Sequence, residues 1–131
     1  NNLGNPIEPL VKSDAILREH CERLGRDEKT IERTVELQRV VIRDTREAAL
    51  AREAELLELN GGAKDDEIRP GSAGVESDRI IAGDPDEVAE QLRPYVEAGY
   101  RHLICGFPPP YDDETMRRLA TEVRPQLEAM V

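Results

Sequence analysis

At 131 residues the chain is long enough for one domain with a modest core. A net charge of −10 and a pI near 4.7 exclude the basic footprint that nucleic acid or anionic lipid requires. Aromatic residues at 3% leave Leu, Val, Ile and Ala to build the interior, which suits a helix-rich α/β protein and not a β-sandwich.

The opening Asn1-Asn2-Leu3-Gly4-Asn5 is polar and begins mid-phrase, so residues 1–131 read as a single partial domain of a longer protein. Asn5-Pro6-Ile7-Glu8 has the form of a helix start, with Asn5 as cap and Pro6 at the first helical position. Leu10, Leu17, Cys21 and Leu24 follow helical spacing, and Gly25 stops the helix. Arg26–Arg33 is a charged connector with room for a single turn. Thr34–Ile42 alternates and then becomes wholly apolar at Val40-Val41-Ile42, which predicts one strand with a buried far end.

Asp44-Thr45-Arg46-Glu47 opens a helix through about Leu59, with Ala48, Leu56 and Leu59 expected inward. Asn60-Gly61-Gly62 ends it. Residues 61–79 are rich in Gly, Pro, Ser and charge, and are expected to form a mobile loop, disordered or acting as a lid. Ile80-Ile81-Ala82 is extended, and Gly83-Asp84-Pro85-Asp86-Glu87 is a capped helix start with Val88, Leu92, Tyr95 and Val96 on one face. Pro94 lies inside that helix, where it removes a backbone hydrogen bond and predicts a kink. Gly99 closes it.

Leu103–Phe107 is a strand expected to be buried on both faces, as parallel strands are. A last helix from Asp112 is expected to bury Met116, Leu119, Val123 and Leu127, with Pro125 bending its final turns. The order α-β-α-loop-α-β-α predicts an α/β fold with about two parallel strands and helical crossovers. No apolar run approaches the length of a membrane span and no secretory signal is visible, so a membrane is not an expected partner. Cys21 and Cys105, both at apolar positions, read as free thiols in a reducing cytoplasm.

Several stretches together resemble one family: Glu19–Asp27, Ile31-Glu32-Arg33-Thr34, Gly83–Leu92, Ala98–Ile104 and Pro108-Pro109-Pro110-Tyr111-Asp112. The resemblance is to the bacterial-luciferase-like flavin monooxygenases and deazaflavin-dependent oxidoreductases. It implies that the chain is the C-terminal portion of a TIM-type (β/α) barrel. Thr34–Ile42 would be the seventh strand, Leu103–Phe107 the eighth, and Asn1–Gly4 the loop leaving the sixth. It also implies FMN or a deazaflavin in the barrel mouth, hydride or oxygen chemistry on a small-molecule substrate, and the remaining strands supplied by the rest of the barrel. Alone, this piece would be inactive. The alternative is a stand-alone acidic α/β interaction module whose exposed strand edges pair with another chain or form a homo-oligomer.

In such barrels the chemistry sits at the C-terminal ends of strands. That places Asn2, Arg43, Phe107 and Tyr111 as pocket-wall candidates, with catalytic residues unassigned. Arg43 is set to meet a phosphate or an acidic substrate tail, or else to face its neighbour Asp44 at a helix start. Gly83 opens a helix whose free amides attract anions, but the adjoining Asp84 carboxylate occupies them as a cap. His102 and Cys105 point to opposite faces of a strand and cannot share a metal ion. His20 and Cys21 diverge on their helix in the same way. The paired carboxylates Asp27-Glu28, Asp65-Asp66 and Asp112-Asp113 sit at loops and helix starts as solvated caps.

Overall fold

The computed structural model describes residues 2–3, 7–37, 39–60, 80–107 and 109–131, of Asn2–Leu3 only the backbone. The expected Asn5 cap and the 61–79 loop lie outside the described residues. In chain order the elements are β1 (Asn2–Leu3), α1 (Ile7–Leu24), a 3₁₀ turn (Glu28–Thr30), β2 (Thr34–Leu37) and β3 (Val40–Ile42). They continue with α2 (Arg46–Leu59), β4 (Ile81–Gly83), α3 (Pro85–Glu97), β5 (His102–Cys105) and α4 (Asp113–Arg118). A π-helical turn (Leu119–Val123) and α5 (Arg124–Glu128) complete the chain. The protein is α/β and helix-rich, with parallel strands.

Five short strands replace the expected two. They form two sheets, β1-β2-β5 and β3-β4, and every pairing is parallel. The segment read as one strand, Thr34–Ile42, divides: Thr34–Leu37 runs beside His102–Cys105, whereas Val40–Ile42 runs beside Ile81–Gly83. Arg39 is the joint, its carbonyl accepting from the Ile81 N–H at 3.0 Å. Asn2–Leu3, expected in a loop, is a strand against Val35 and Glu36.

β5 departs from the expected burial on both faces. Leu103 and Cys105 face the helices with Val35 and Leu37, but His102 and Ile104 are exposed on the opposite face beside Thr34 and Glu36. The reason is that helices cover one side of this sheet, and no described element covers the other. The main core lies on the covered side, where Val35, Leu37, Ile42, Val88, Leu92, Tyr100 and Val123 are essentially sealed from water. A second, smaller core joins Val41 and Ala82 to Ala49 and Leu56 of α2.

The helix ends follow their local chemistry. Asp84 and Glu87 form a reciprocal capping box at the start of α3, and Thr45 accepts from the Ala48 N–H at 3.2 Å. Gly25 ends α1 at φ +63°, a conformation that glycine adopts without penalty. On α2, Leu56 is buried as expected, but its buried companions are Ala49 and Glu53, while Ala48 and Leu59 are exposed. Burying Glu53 is possible because Arg39 reaches it at 3.1 Å. Leu24 is also exposed, lying past the point where α1 leaves the core.

α3 runs unbroken from Pro85 to Glu97 with Pro94 on its exposed side. Pro125 acts one turn upstream: it cannot donate to the chain, and the helix passes through the π turn, in which the Arg124 N–H bonds Leu119. Val123 is fully buried in that turn, with Leu119 and Leu127 packed partly against the core.

Candidate functional site

Within each of the two sheets the strands run parallel, so their C-terminal ends lie on one side of that sheet. Arg43 follows β3, Gly83 ends β4, and Gly106-Phe107 follow β5. A cavity of about 250 Å³ opens past the C-terminal end of β5 and beside the start of β3, between Arg39, Val40 and Val41, Glu53 and Leu56 of α2, Asn60 at that helix's C-terminal end, and Gly106, Phe107 and Asp112.

Arg43 is held within the fold. Its guanidinium donates to Asp112 Oδ1 at 2.9 Å, to Thr115 Oγ1 at 3.2 Å and to its neighbour Ile42's carbonyl at 2.6 Å, with Glu114 at 3.4 Å. Thr115, fully buried, donates to Asp112 Oδ2 at 2.7 Å and accepts the Ile42 N–H at 2.9 Å. That last bond matters for the sheet. The outward-facing N–H of a parallel strand needs an acceptor, and here a side-chain hydroxyl stands in for the missing neighbour strand. Asp44 turns away from Arg43 and pairs with Arg118 at 3.0 Å.

Asp112 was expected as a solvated cap but is buried. Burial raises its pKa, and the hydrogen bonds from Arg43 and Thr115 more than offset that, leaving the carboxyl below its ordinary value. It is therefore ionised at neutral pH. Asp112 and Thr115 escaped the sequence reading because their partner Arg43 lies 69 and 72 residues away. Glu53 and Arg39 escaped it for a similar reason.

At Gly83 the backbone has φ +150° and the Glu87 side chain folds over the Cα, so a Cβ there would collide with it. The Asp84 and Glu87 carboxylates take the N–H groups of Glu87 and Asp84, at 2.9 and 3.1 Å. Phe107 lines both the 250 Å³ cavity and a larger groove of about 690 Å³ beneath α4 and α5. Tyr111 is 65% exposed. Asn2 lies in β1, in register with Val35 of β2. Arg43 thus reaches the buried Asp112, which shares one cavity with Phe107.

His102 is exposed, with Glu32 at 3.6 Å, and Cys105 faces the helices; both cysteines are free thiols. Burial pushes the Cys105 thiol up to about 11, so it is protonated at neutral pH and a poor nucleophile. Among the described residues no three His, Cys, Asp or Glu side chains stand together as a metal site, and no helix is long and apolar enough to cross a membrane.

No protein-family model matches the chain. A stretch of 51 residues is 35% identical to the F420-dependent glucose-6-phosphate dehydrogenase of Amycolatopsis mediterranei (strain U-32). The stretch is 39% of this chain and spans only 15% of that enzyme's length. The likeness is partial, and it is to an F420-dependent oxidoreductase. It lends no support to FMN.

Proposed function

We propose that the chain is a C-terminal segment of a luciferase-like, deazaflavin-dependent oxidoreductase, contributing one wall of a barrel mouth. One observation carries the reading. Gly106 and Phe107, just past the C-terminal end of β5, share a single cavity with a buried, ionised Asp112, in a chain that resembles an F420-dependent enzyme over 51 residues.

The described residues fit such a cofactor in part. A cavity of about 250 Å³ with the Phe107 ring on its wall takes one edge of a planar ring system and no more. Phosphate is a poor fit, because Arg43 is committed to Asp112 and Thr115 and the α3 N-terminus is closed by its capping box. Among the described residues at this cavity, none is therefore offered to the charged tail of the cofactor. When bound, a deazaflavin supplies two-electron hydride chemistry. The role of this chain is to wall the ring with Phe107, keep water from that side, and hold Gly106–Tyr111 in place through the Asp112–Arg43 bond.

The test is to express the reading frame that contains residues 1–131 together with its upstream sequence, and to titrate it with coenzyme F420 by fluorescence. Saturable binding is expected, weakened about tenfold or more in Phe107→Ala. Absence of F420 binding by the longer protein sinks the proposal and leaves the interaction-module reading, which the uncovered face of β2 and β5 would then favour.

A further inference from the structure

We infer that the Arg39–Glu53 pair reads the ligand of the 250 Å³ cavity, selecting a neutral, flat edge on which an N–H donor lies beside a carbonyl, as in a cyclic imide. The imide class deepens the proposed function, and rests on it only for naming the ring a deazaflavin.

Glu53 is costly to place where it stands. It is 5% exposed on the inward face of α2, and it lines the cavity with Val40, Val41 and Phe107. A buried carboxylate needs partners for both of its oxygens. Arg39 Nη1 donates to Oε1 at 3.1 Å, and no other described residue engages the group. Oε2 is nevertheless not sealed in protein. Among the described residues, Arg52 Nε is the sole buried side-chain N or O atom that lacks a partner. The open oxygen of Glu53 therefore meets free space, and the space that Glu53 lines is the cavity. Arg39 matches it, since the guanidinium carries five N–H donors and spends one on Glu53 through Nη1.

Charge and shape narrow the class. Arg39 offsets Glu53, and Arg43 offsets Asp112, so these walls carry no net charge. An anion would meet two carboxylates there, and a cation would compete with Arg39 for Glu53. A neutral group leaves the ion pair intact. It must bring a donor to Glu53 Oε2 and an acceptor to a free Arg39 N–H, side by side. The adjoining N–H and C=O of an imide do both at once, and a flat ring suits the Phe107 wall. At about 250 Å³ the cavity falls below the roughly 300–1,000 Å³ of pockets that take a drug-sized molecule, so it admits one end of a larger ligand. The pyrimidinedione end of a deazaflavin, an N–H between two carbonyls, is such an edge.

The test uses the protein expressed from the reading frame that contains residues 1–131. The probes are 1-methyluracil and 1,3-dimethyluracil, followed by NMR titration. They differ only in whether the imide nitrogen carries a proton or a methyl group. 1-Methyluracil is expected to bind about tenfold or more tightly than its dimethyl counterpart. Glu53→Gln is expected to bring the two within about twofold, because the amide oxygen goes to Arg39 and the amide NH₂ then faces the ligand's N–H. The ratio is the readout, since a loss of folded protein weakens both probes alike. Equal binding of the probes, no binding of 1-methyluracil, or a ratio that survives in Glu53→Gln overturns the inference. F420 binding is scored separately. A protein that binds F420 without discriminating between the probes keeps the proposed function and loses this inference; the reverse pattern loses the deazaflavin and keeps the imide site.

Discussion

Asp112 is the residue on which the candidate site hangs, because three elements meet through its carboxylate: β3 through Arg43, α4 through Thr115, and the Gly106–Tyr111 segment that it terminates. Removing one member of such a pair leaves the other charge half-buried without its partner. Asp112→Ala is expected to cost about 3 kcal/mol of folding stability, read from the urea midpoint. A second expectation concerns acid. Asp112 and Asp14 both titrate below their ordinary value of 3.8 in the folded state: burial raises each, and hydrogen bonds from Arg43 and Thr115, or from Arg33 and Arg18, bring each below it. A carboxyl whose folded pKa is depressed contributes stability that is complete above its unfolded pKa and is lost as pH falls through the folded value. Stability should therefore be level near neutral pH and fall below about pH 4. Urea midpoints from pH 7 to pH 3 test this, and Asp112→Asn should flatten part of the decline. None of this was visible in the sequence, where Asp112 has the form of an ordinary helix cap. Its neighbours in the chain say nothing of an arginine arriving from 69 residues away.

Among the elements, what was legible was what is local. The capping box at Asp84 and Glu87 and the Gly25 stop depend on residues within one turn of each other, and each stands where the spacing placed it; at α2 the cap is Thr45, one residue past the Asp44 that the Asp44–Glu47 box pattern points to. The strands were harder. Thr34–Ile42 carries one continuous β pattern, and its division into β2 and β3 is decided by partners at Ile81–Gly83 and His102–Cys105, which no local pattern reveals. On α2 the inward Leu56 is legible, but Ala48 and Leu59 are not the companions it has, because Glu53 reads as solvent-facing until Arg39 is known to reach it. Two substitutions probe this scale. Gly83→Ala forces a Cβ into a positive-φ site against Glu87 and should lose about 1–3 kcal/mol, measured by urea denaturation. Pro94→Ala restores a donor on the exposed side of α3 and should gain up to about 3 kcal/mol, raising the thermal midpoint.

For the molecule as a whole, the contrast between the two faces of the β1-β2-β5 sheet dominates. One face carries the core; the other shows Thr34, Glu36, His102 and Ile104 with no described element over them. The alternating parallel architecture was legible in the order of helices and strands, because that order reflects how apolar faces must be layered. The bare face was not, since period and composition say that a strand exists and not how many layers surround it. A direct expectation follows for the chain by itself. Ile104→Glu should change the stability of chain 1–131 by no more than about 0.5 kcal/mol, as an exposed position allows. Leu37→Glu, on the sealed face, should prevent folding; circular dichroism separates the two outcomes.

The joint at Arg39 has a consequence for how such a chain varies over evolutionary time. A strand tolerates no slip of one residue, because every side chain then changes face. Here two runs close together in the chain serve separate ladders, Thr34–Leu37 in register with His102–Cys105 and Val40–Ile42 in register with Ile81–Gly83. An insertion or deletion between Leu37 and Val40 cannot be absorbed by sliding either half, since the correction of one register is the error of the other. The segment behaves as a ruler of fixed length, and length variation among related sequences should fall anywhere but there.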